Sequence, residues 1–289
     1  MKELEGRTAV VTGAASGIGR AMAERFAAAG MNLVLGDVEM APLQETEATV
    51  KELGVDVVAL HTDVRHLADV QAMRTAALDT YGRVDVVCNN AGVVGPFGVP
   101  IEMMTVEDWR WVLDVDLWGV IHGIQTFVPD LVAQGEGHVV NTASLAGLTT
   151  GSLINAAYHT AKHGVVALSE CLYHDLQSRG SAVGVSVLCP GFVKTQISMD
   201  IRNRPEDTIP RGGLSNDDEQ ETRRAVLIEL SAGGRLPSEV ADLVHDAVVT
   251  GGFYIHTDEA ALPFIRARHD AIQAASLPAS GELEMLGEK

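Results

Sequence analysis

Short apolar runs alternate along this chain with longer stretches in which apolar residues recur at helical spacing. Thr8–Thr12 (TAVVT) is the unbroken run that a strand buried on both faces requires. A glycine turn follows, then a helical pattern through Ala29 with Gly30 as its stop. Asn32–Asp37 reads as the second strand and Leu43–Leu53 as a helix closed by Gly54. Asp56–His61 is the third strand, a helix starts near Leu67, and Val84–Asn89 is the fourth strand. Thr105–Val132 reads as one long helix, with Trp109, Val112, Leu113, Leu117, Val120 and Ile124 spaced for a buried face. Val139–Thr142 is the fifth strand, Ala156–Arg179 a second long helix, and Gly184–Cys189 the sixth strand. From Phe192 to Arg224 periodicity is lost, and Pro205, Pro210, Gly212 and Gly213 gather there. In a compact chain such a stretch is expected to be a lid or a disordered loop. A helix at Pro237–Val249, a short strand at Phe253–His256 and a helix at Ala260–Ala275 follow. Residues 280–289 form a polar tail expected to fray.

This alternation predicts one α/β domain over residues 1–279, with a lid insert at about 192–226. The sheet is expected to be parallel, with helices on both faces and right-handed crossovers. Ligands of such sheets bind beyond the carboxyl ends of the strands. The chemically suggestive residues fall there: glycines after strand one, Asp37 after two, Asp63 after three, Asn90 after four, Ser144 after five and Pro190 after six.

Gly13-Ala-Ala-Ser16-Gly17-Ile18-Gly19 stands between a strand and a helix. That order aims free backbone N–H groups and the positive helix end at one point, which suits a pyrophosphate. Asp37 lies 18 residues beyond Gly19. A carboxylate there accepts ribose hydroxyls and repels a 2′-phosphate, and neither Ser16 nor Val38 supplies a compensating cation. The expected cofactor is therefore NAD rather than NADP; the plainer reading of Asp37 is a turn or cap residue. Asp63, followed by Val64, either bonds an adenine amino group or caps the next helix. The small and amide residues Asn89–Gly92 either let backbone approach a cofactor or form a plain turn.

Tyr158 and Lys162 are four residues apart, about one helical turn, on one face of the helix. A nearby ammonium favours an ionised phenol. A hydroxyl such as Ser144, at the end of strand five, can face it and hold a substrate oxygen. Alone, Tyr158-x-x-x-Lys162 would often be a surface pair; beside a nucleotide site it is a proton-transfer site awaiting a hydride carrier. His159, its neighbour, points about 100° away and is read as non-catalytic.

Formal net charge is −18, from 21 basic and 39 acidic residues, which disfavours nucleic acid and anionic membranes as partners. Cys88, Cys171 and Cys189 are far apart and show no metal-ligand spacing, so reduced thiols and no metal are expected. No apolar signal region or membrane-length run is seen, and the expected location is cytoplasmic.

With these residues in view, the chain resembles the short-chain dehydrogenase/reductase family from about Gly6 to Phe253. TGAASGIG at Thr12–Gly19, NNAG at Asn89–Gly92, Ser144, Tyr158-x-x-x-Lys162 and Pro190-Gly191 stand in the family's order. The resemblance implies a Rossmann-type doubly wound sheet of about seven strands, in the order 3-2-1-4-5-6-7. It implies Tyr158 as general acid/base, Lys162 holding the nicotinamide ribose and lowering the Tyr158 pKa, and Ser144 orienting the substrate oxygen. Asn90, Ala91, Gly92, Pro190, Gly191 and Val193 match cofactor-lining positions, and Thr195 matches a contact to the carboxamide. Family members often pair their long helices across two-fold axes, so a homodimer or homotetramer is expected.

One departure stands out. Where the family has Asn in a V-N-x-x-G context, this chain reads Val115-Asp116-Leu117-Trp118-Gly119. A backbone role in a proton relay beside Lys162 survives the change, whereas a side-chain amide donor does not. NTASLAGL at Asn141–Leu148 and the C-terminal helical extension look similar to bacterial members acting on bulky secondary alcohols, including aryl alcohols. The expected function is thus NAD-dependent interconversion of a secondary alcohol and a ketone. A 3-oxoacyl thioester reductase and a non-catalytic NAD-sensing regulator are the alternatives. In the lid, Arg202, Arg204 and Arg211 are candidates to meet an anionic substrate, and Met199, Ile201 and Ile209 to form apolar walls. Phe97, Leu145, Leu153 and Phe192 are candidate pocket neighbours.

Overall fold

The computed structural model describes residues 1, 3–97, 99–151, 154–209 and 218–279. Leu153, Arg211 and the tail 280–289 lie outside them.

β1 (Thr8–Thr12) sits at the centre of a seven-stranded parallel sheet because both of its faces are covered. Ala9 and Val11 turn to one side, packing with Phe26 of α1 (Gly17–Ala28), Leu43 of α2 (Met40–Glu52) and Val240 of α8 (Pro237–Thr250). Val10 turns to the other side, with Met73 of α3 (Leu67–Tyr81), Phe127 of α5 (Gly119–Gln134) and Leu176 of α6 (Ala156–Ser178). Truncating Phe26 or Phe127 to Ala would cost about 3–5 kcal/mol, since both are fully buried.

The sheet order is β3-β2-β1-β4-β5-β6-β7, with β2 at Asn32–Asp37, β3 at Val57–His61, β4 at Val86–Asn89, β5 at His138–Thr142, β6 at Gly184–Cys189 and β7 at Tyr254–His256. β1 pairs with β2 on one edge (Val10 opposite Val34) and β4 on the other (Val10 opposite Val87). Strand order reverses between them, which opens a crevice at the carboxyl ends of β1 and β4.

Two stretches depart from the expected pattern. The helix expected over Thr105–Val132 is three pieces: α4 (Val106–Leu113), a π-helical turn (Asp114–Trp118) and α5. A π turn admits an extra residue and leaves no mark in apolar spacing. The stretch expected to be aperiodic contains short 3-10 segments at Ile197–Asn203 and Glu206–Thr208, and its end enters α7 (Asp218–Ala232). The first half of α7, DEQETRR, is polar, so no apolar stripe announces the helix. The last helix, α9, runs Leu262–Gln273.

Candidate active site

The glycine turn after β1 has a shape that side chains would spoil. Gly13 and Gly17 adopt φ of +68° and +54°, in the left-handed region. A Cβ on Gly19 would lie 2.0 Å from the Gly13 carbonyl oxygen. Ser16 precedes α1 in extended conformation and makes no side-chain cap, so it does not cover the first-turn N–H groups. Ala15 N–H donates to Asp37 Oδ2 at 2.9 Å, and Glu39 N–H to Oδ1 at 2.9 Å. Burial raises the Asp37 pKa, opposed by these backbone donors.

Asn90 ties three strand ends together. Its N–H donates to Thr12 Oγ1 at 2.9 Å, its Nδ2 to the Thr12 carbonyl at 3.0 Å, and its Oδ1 accepts from Thr142 Oγ1 at 3.2 Å. Thr12 Oγ1 also accepts the Ala91 N–H at 3.1 Å. At the end of β3, Asp63 binds Arg65 through both oxygens, the shortest contact being 2.8 Å. Burial raises the Asp63 pKa, but Arg65 holds it below the ordinary value. It does not side-chain cap α3. No helix cap is thus made, and the Arg65 pairing occupies the same oxygens that an adenine amino group would need.

A cavity of about 460 Å³ runs along this crevice. Gly13, Ser16, Gly17, Ile18, Asp37, Asp63, Val64, Asn90, Ala91 and Gly92 line it, with Ser144, Tyr158, Lys162, Pro190, Gly191, Val193 and Thr195 further along. Gly19 and Asp116 are not among its lining residues. Gly19 packs against Gly13, and Asp116 lies behind Lys162.

Tyr158 and Lys162 fall on one face of α6, whose start is fixed by Asn155. The Asn155 side chain accepts the Tyr158 N–H at 2.9 Å and donates to the carbonyls of Val94 (2.5 Å) and Pro96 (2.9 Å). Lys162 Nζ donates to the Thr142 carbonyl at 3.1 Å and lies 3.2 Å from Asp116 Oδ2, a close ion contact rather than an aligned hydrogen bond. Asp116 Oδ1 accepts the Val93 N–H at 2.8 Å. Ser144 Oγ accepts from the Ala146 N–H at 3.1 Å and donates to the Pro190 carbonyl at 3.5 Å, and it lines the same cavity as Tyr158.

The expected lowering of the Tyr158 pKa is not found in the protein alone. Burial raises it; Lys162 and Ser144 pull it down, while Asp116 and Asp200 push it up. Asp116 offsets part of the Lys162 field, a cancellation that the Tyr-Lys spacing cannot reveal. Burial works against the Lys162 charge, yet Asp116 and Tyr158 raise its pKa overall. Burial also raises Asp116, against the pull of Lys162. We take Lys162 as protonated and Asp116 as ionised, since both Asp116 oxygens face donors.

The family model described as short chain dehydrogenase matches residues 7–206. This chain belongs to the short-chain dehydrogenase/reductase family. A 1-deoxy-11-beta-hydroxypentalenate dehydrogenase of Streptomyces exfoliatus is 36% identical over 277 residues, 95% of this chain and 92% of the relative. A 3beta-hydroxysteroid dehydrogenase 2 of Eggerthella lenta is 34% identical over 207 residues, 70% of this chain and 77% of the relative. A crystal structure of a family member from Burkholderia phymatum in complex with NAD superposes with a TM-score of 0.92 at 41% identity, over 97% of this chain and 99% of that one. The chain is thus an oxidoreductase of this family, and no helix among the described residues is long and apolar enough to cross a membrane.

In the present chain, described residues of the stretch expected to be a lid reach across the cavity. Arg202 donates to both Glu39 oxygens (3.1 and 2.8 Å), Asn203 to Glu39 Oε2 (2.9 Å), and Arg65 to Asp207 (3.5 Å). Arg202 is therefore engaged with Glu39 rather than free to meet a substrate anion. Arg204 is buried, bonded to Asp108 Oδ1 at 2.7 Å and stacked on Trp111 at 4.9 Å. Met199 and Ile209 are exposed and Ile201 packs into the core; none of the three lines the cavity. Leu145 and Phe192 do line it, whereas Phe97 lies outside, beneath Arg224. His159 Nδ1 bonds the Ala146 carbonyl at 2.9 Å.

Sequence reading missed Asn155, Glu39, Arg65 and Asp200. Asn155 had a signal: an Asn immediately before the expected helix start at Ala156. The others meet their partners only through the fold.

Proposed function

We propose that the protein is an NAD-dependent dehydrogenase of bulky, apolar secondary alcohols, reversibly forming their ketones, with Tyr158 as general acid/base. One observation carries this reading: a single cavity joins the glycine turn and Asp37 at one end to Ser144, Tyr158 and Lys162 further along. The residues fit the cofactor. Gly19 leaves no room for a Cβ, α1 begins without a side-chain cap, and Asp37 stands at the strand end where a ribose is held. The NAD held by the Burkholderia relative supports the same choice.

In this account the turn from Gly13 to Gly19 holds the pyrophosphate and Asp37 the adenosine ribose. Asp63, Val64 and Asn90–Gly92 line the path, and Pro190, Gly191, Val193 and Thr195 flank the nicotinamide end. Bound NAD supplies the hydride acceptor in alcohol oxidation and the donor in ketone reduction. Ser144 holds the substrate oxygen. Tyr158 takes the hydroxyl proton during oxidation and returns it during reduction. Lys162 favours the phenolate, and the nicotinamide charge adds to that when the cofactor is present. Asp116 keeps Lys162 protonated and oriented, which is how the Asn-to-Asp departure is accommodated.

Trp111, Val115, Ile154, Phe192, Ile197 and Leu227 line the same cavity, so its walls suit a bulky apolar molecule. Relatives whose names give a hydroxypentalenate and a hydroxysteroid support that class. The test is NAD reduction by the purified protein against a panel of cyclic and aryl secondary alcohols alongside short-chain ones. Turnover confined to the bulky members is expected. Turnover confined to short-chain or acyl-thioester substrates contradicts the reading.

A further inference from the structure

Asp200 is a carboxylate only 3% exposed, between the exposed Met199 and the half-buried Ile201. Its Oδ2 accepts two successive backbone N–H groups, Val94 at 2.6 Å and Gly95 at 2.8 Å. Adjacent N–H groups converging on one oxygen form a small backbone anion site. Gly95 makes that turn possible: its φ is +82°, and a Cβ there would lie 2.6 Å from Val112 Cγ2. Asp200 Oδ1 is buried with no hydrogen-bond partner among the described residues. A buried, half-satisfied carboxylate costs stability, so packing alone does not favour one here.

The bonds continue past the latch. Asn155 donates to the Val94 and Pro96 carbonyls on the same turn, and it caps α6 by accepting the Tyr158 N–H. Lid, turn, cap and Tyr158 are thus joined by one chain of hydrogen bonds. We propose that Asp200 is a positioning residue, latching the lid onto the Val94–Gly95 turn and thereby fixing the first turn of α6 and the Tyr158 phenol. The inference rests on the reading of Tyr158 as acid/base.

Three groups act on the Asp200 charge or answer to it: Arg224 of α7, Asp116 of the π turn and Tyr158 of α6. Burial lifts the Asp200 pKa to about 6, with the two backbone donors and Arg224 opposing and Asp116 adding to the rise. Protonation would remove the charge that the two N–H groups bind, so the latch weakens on the acid side.

The test follows hydrogen exchange at the Val94 and Gly95 amides together with kcat against pH, in wild type, Asp200→Ala and Asp200→Asn. The expected result for D200A is amide exchange faster by about tenfold or more and kcat lower by about tenfold, with NADH affinity unchanged. D200N can still accept through its amide oxygen, so it recovers part of both. Its kcat profile lacks the wild-type step near the Asp200 pKa and runs at the wild-type acid-side level. Unchanged amide exchange in D200A overturns the latch. Faster exchange with unchanged kcat overturns its link to Tyr158, as does a D200N profile that keeps the step. The exchange arm needs no substrate, so failure of the dehydrogenase reading shows separately, as wild-type protein without turnover.

Discussion

Asp116 Oδ2 lies 3.2 Å from Lys162 Nζ, and both side chains are buried. The carboxylate keeps Lys162 charged while weakening the field that Lys162 exerts on Tyr158. Asp116→Asn removes both effects at once. The pKa values of Lys162 and Tyr158 should both fall, so alcohol oxidation, which on this reading needs the phenolate, extends to lower pH. Turnover at its optimum should stay within about tenfold of wild type, since the family carries Asn here. A loss of more than about a hundredfold would show that the carboxylate itself takes part in proton movement.

On the proposed reading, Asp37 acts toward the cofactor rather than the substrate. Fluorescence titration should show NADH binding at least about tenfold tighter than NADPH, because a 2′-phosphate would face Asp37 with like charge. Asp37→Asn should narrow the gap to about threefold or less, chiefly by improving NADPH binding. Equal affinities in the wild type would remove Asp37 from its assigned place.

Gly19→Ala is a sharper test of the turn. Its Cβ would meet the Gly13 carbonyl oxygen at 2.0 Å, so the turn must open. NADH affinity should fall by about a hundredfold or more while the far-UV spectrum of the fold is retained. An unaffected affinity would mean that the pyrophosphate lies elsewhere.

Much of the crevice is legible in the sequence because the residues that line it sit where the strands end. The unbroken apolar runs of β1 and β4 and the glycines between strand and helix dictate a parallel sheet and its crevice. Gly13, Asp37, Asn90, Ser144, Tyr158 and Lys162 follow from their places in that order. What stayed hidden depends on contacts between distant segments. Nothing near Asp200 in the chain points to Val94, and nothing near Arg202 points to Glu39. The π turn at Asp114–Trp118 was hidden for another reason: it alters helical register within a run whose apolar spacing still reads as one helix. The raised Tyr158 pKa is hidden from spacing, which shows Lys162 but neither the burial that outweighs it nor the carboxylate behind it.

Asp200 also leaves a mark on stability. Its folded pKa, raised to about 6, exceeds its ordinary carboxyl value, so the folded state binds a proton more tightly than the unfolded chain. Stability is then greatest below the unfolded pKa and is lost as pH rises through the folded one, by up to roughly 3 kcal/mol from this group. Denaturant unfolding of the wild type from about pH 4 to pH 7 should show that decline superimposed on the other titrations. Asp200→Asn should remove it. An identical pH slope in the two proteins rules out the assigned burial cost.

The most direct test of the central claim is NAD-coupled turnover of Tyr158→Phe on the best alcohol found for the wild type, with NADH affinity measured on the same sample. The account predicts a fall in kcat of about a thousandfold or more with NADH affinity within about twofold of wild type, because the phenol hydroxyl moves the proton and the cofactor is held by other residues. Turnover within about tenfold of the wild type would contradict it and place the proton transfer on another group.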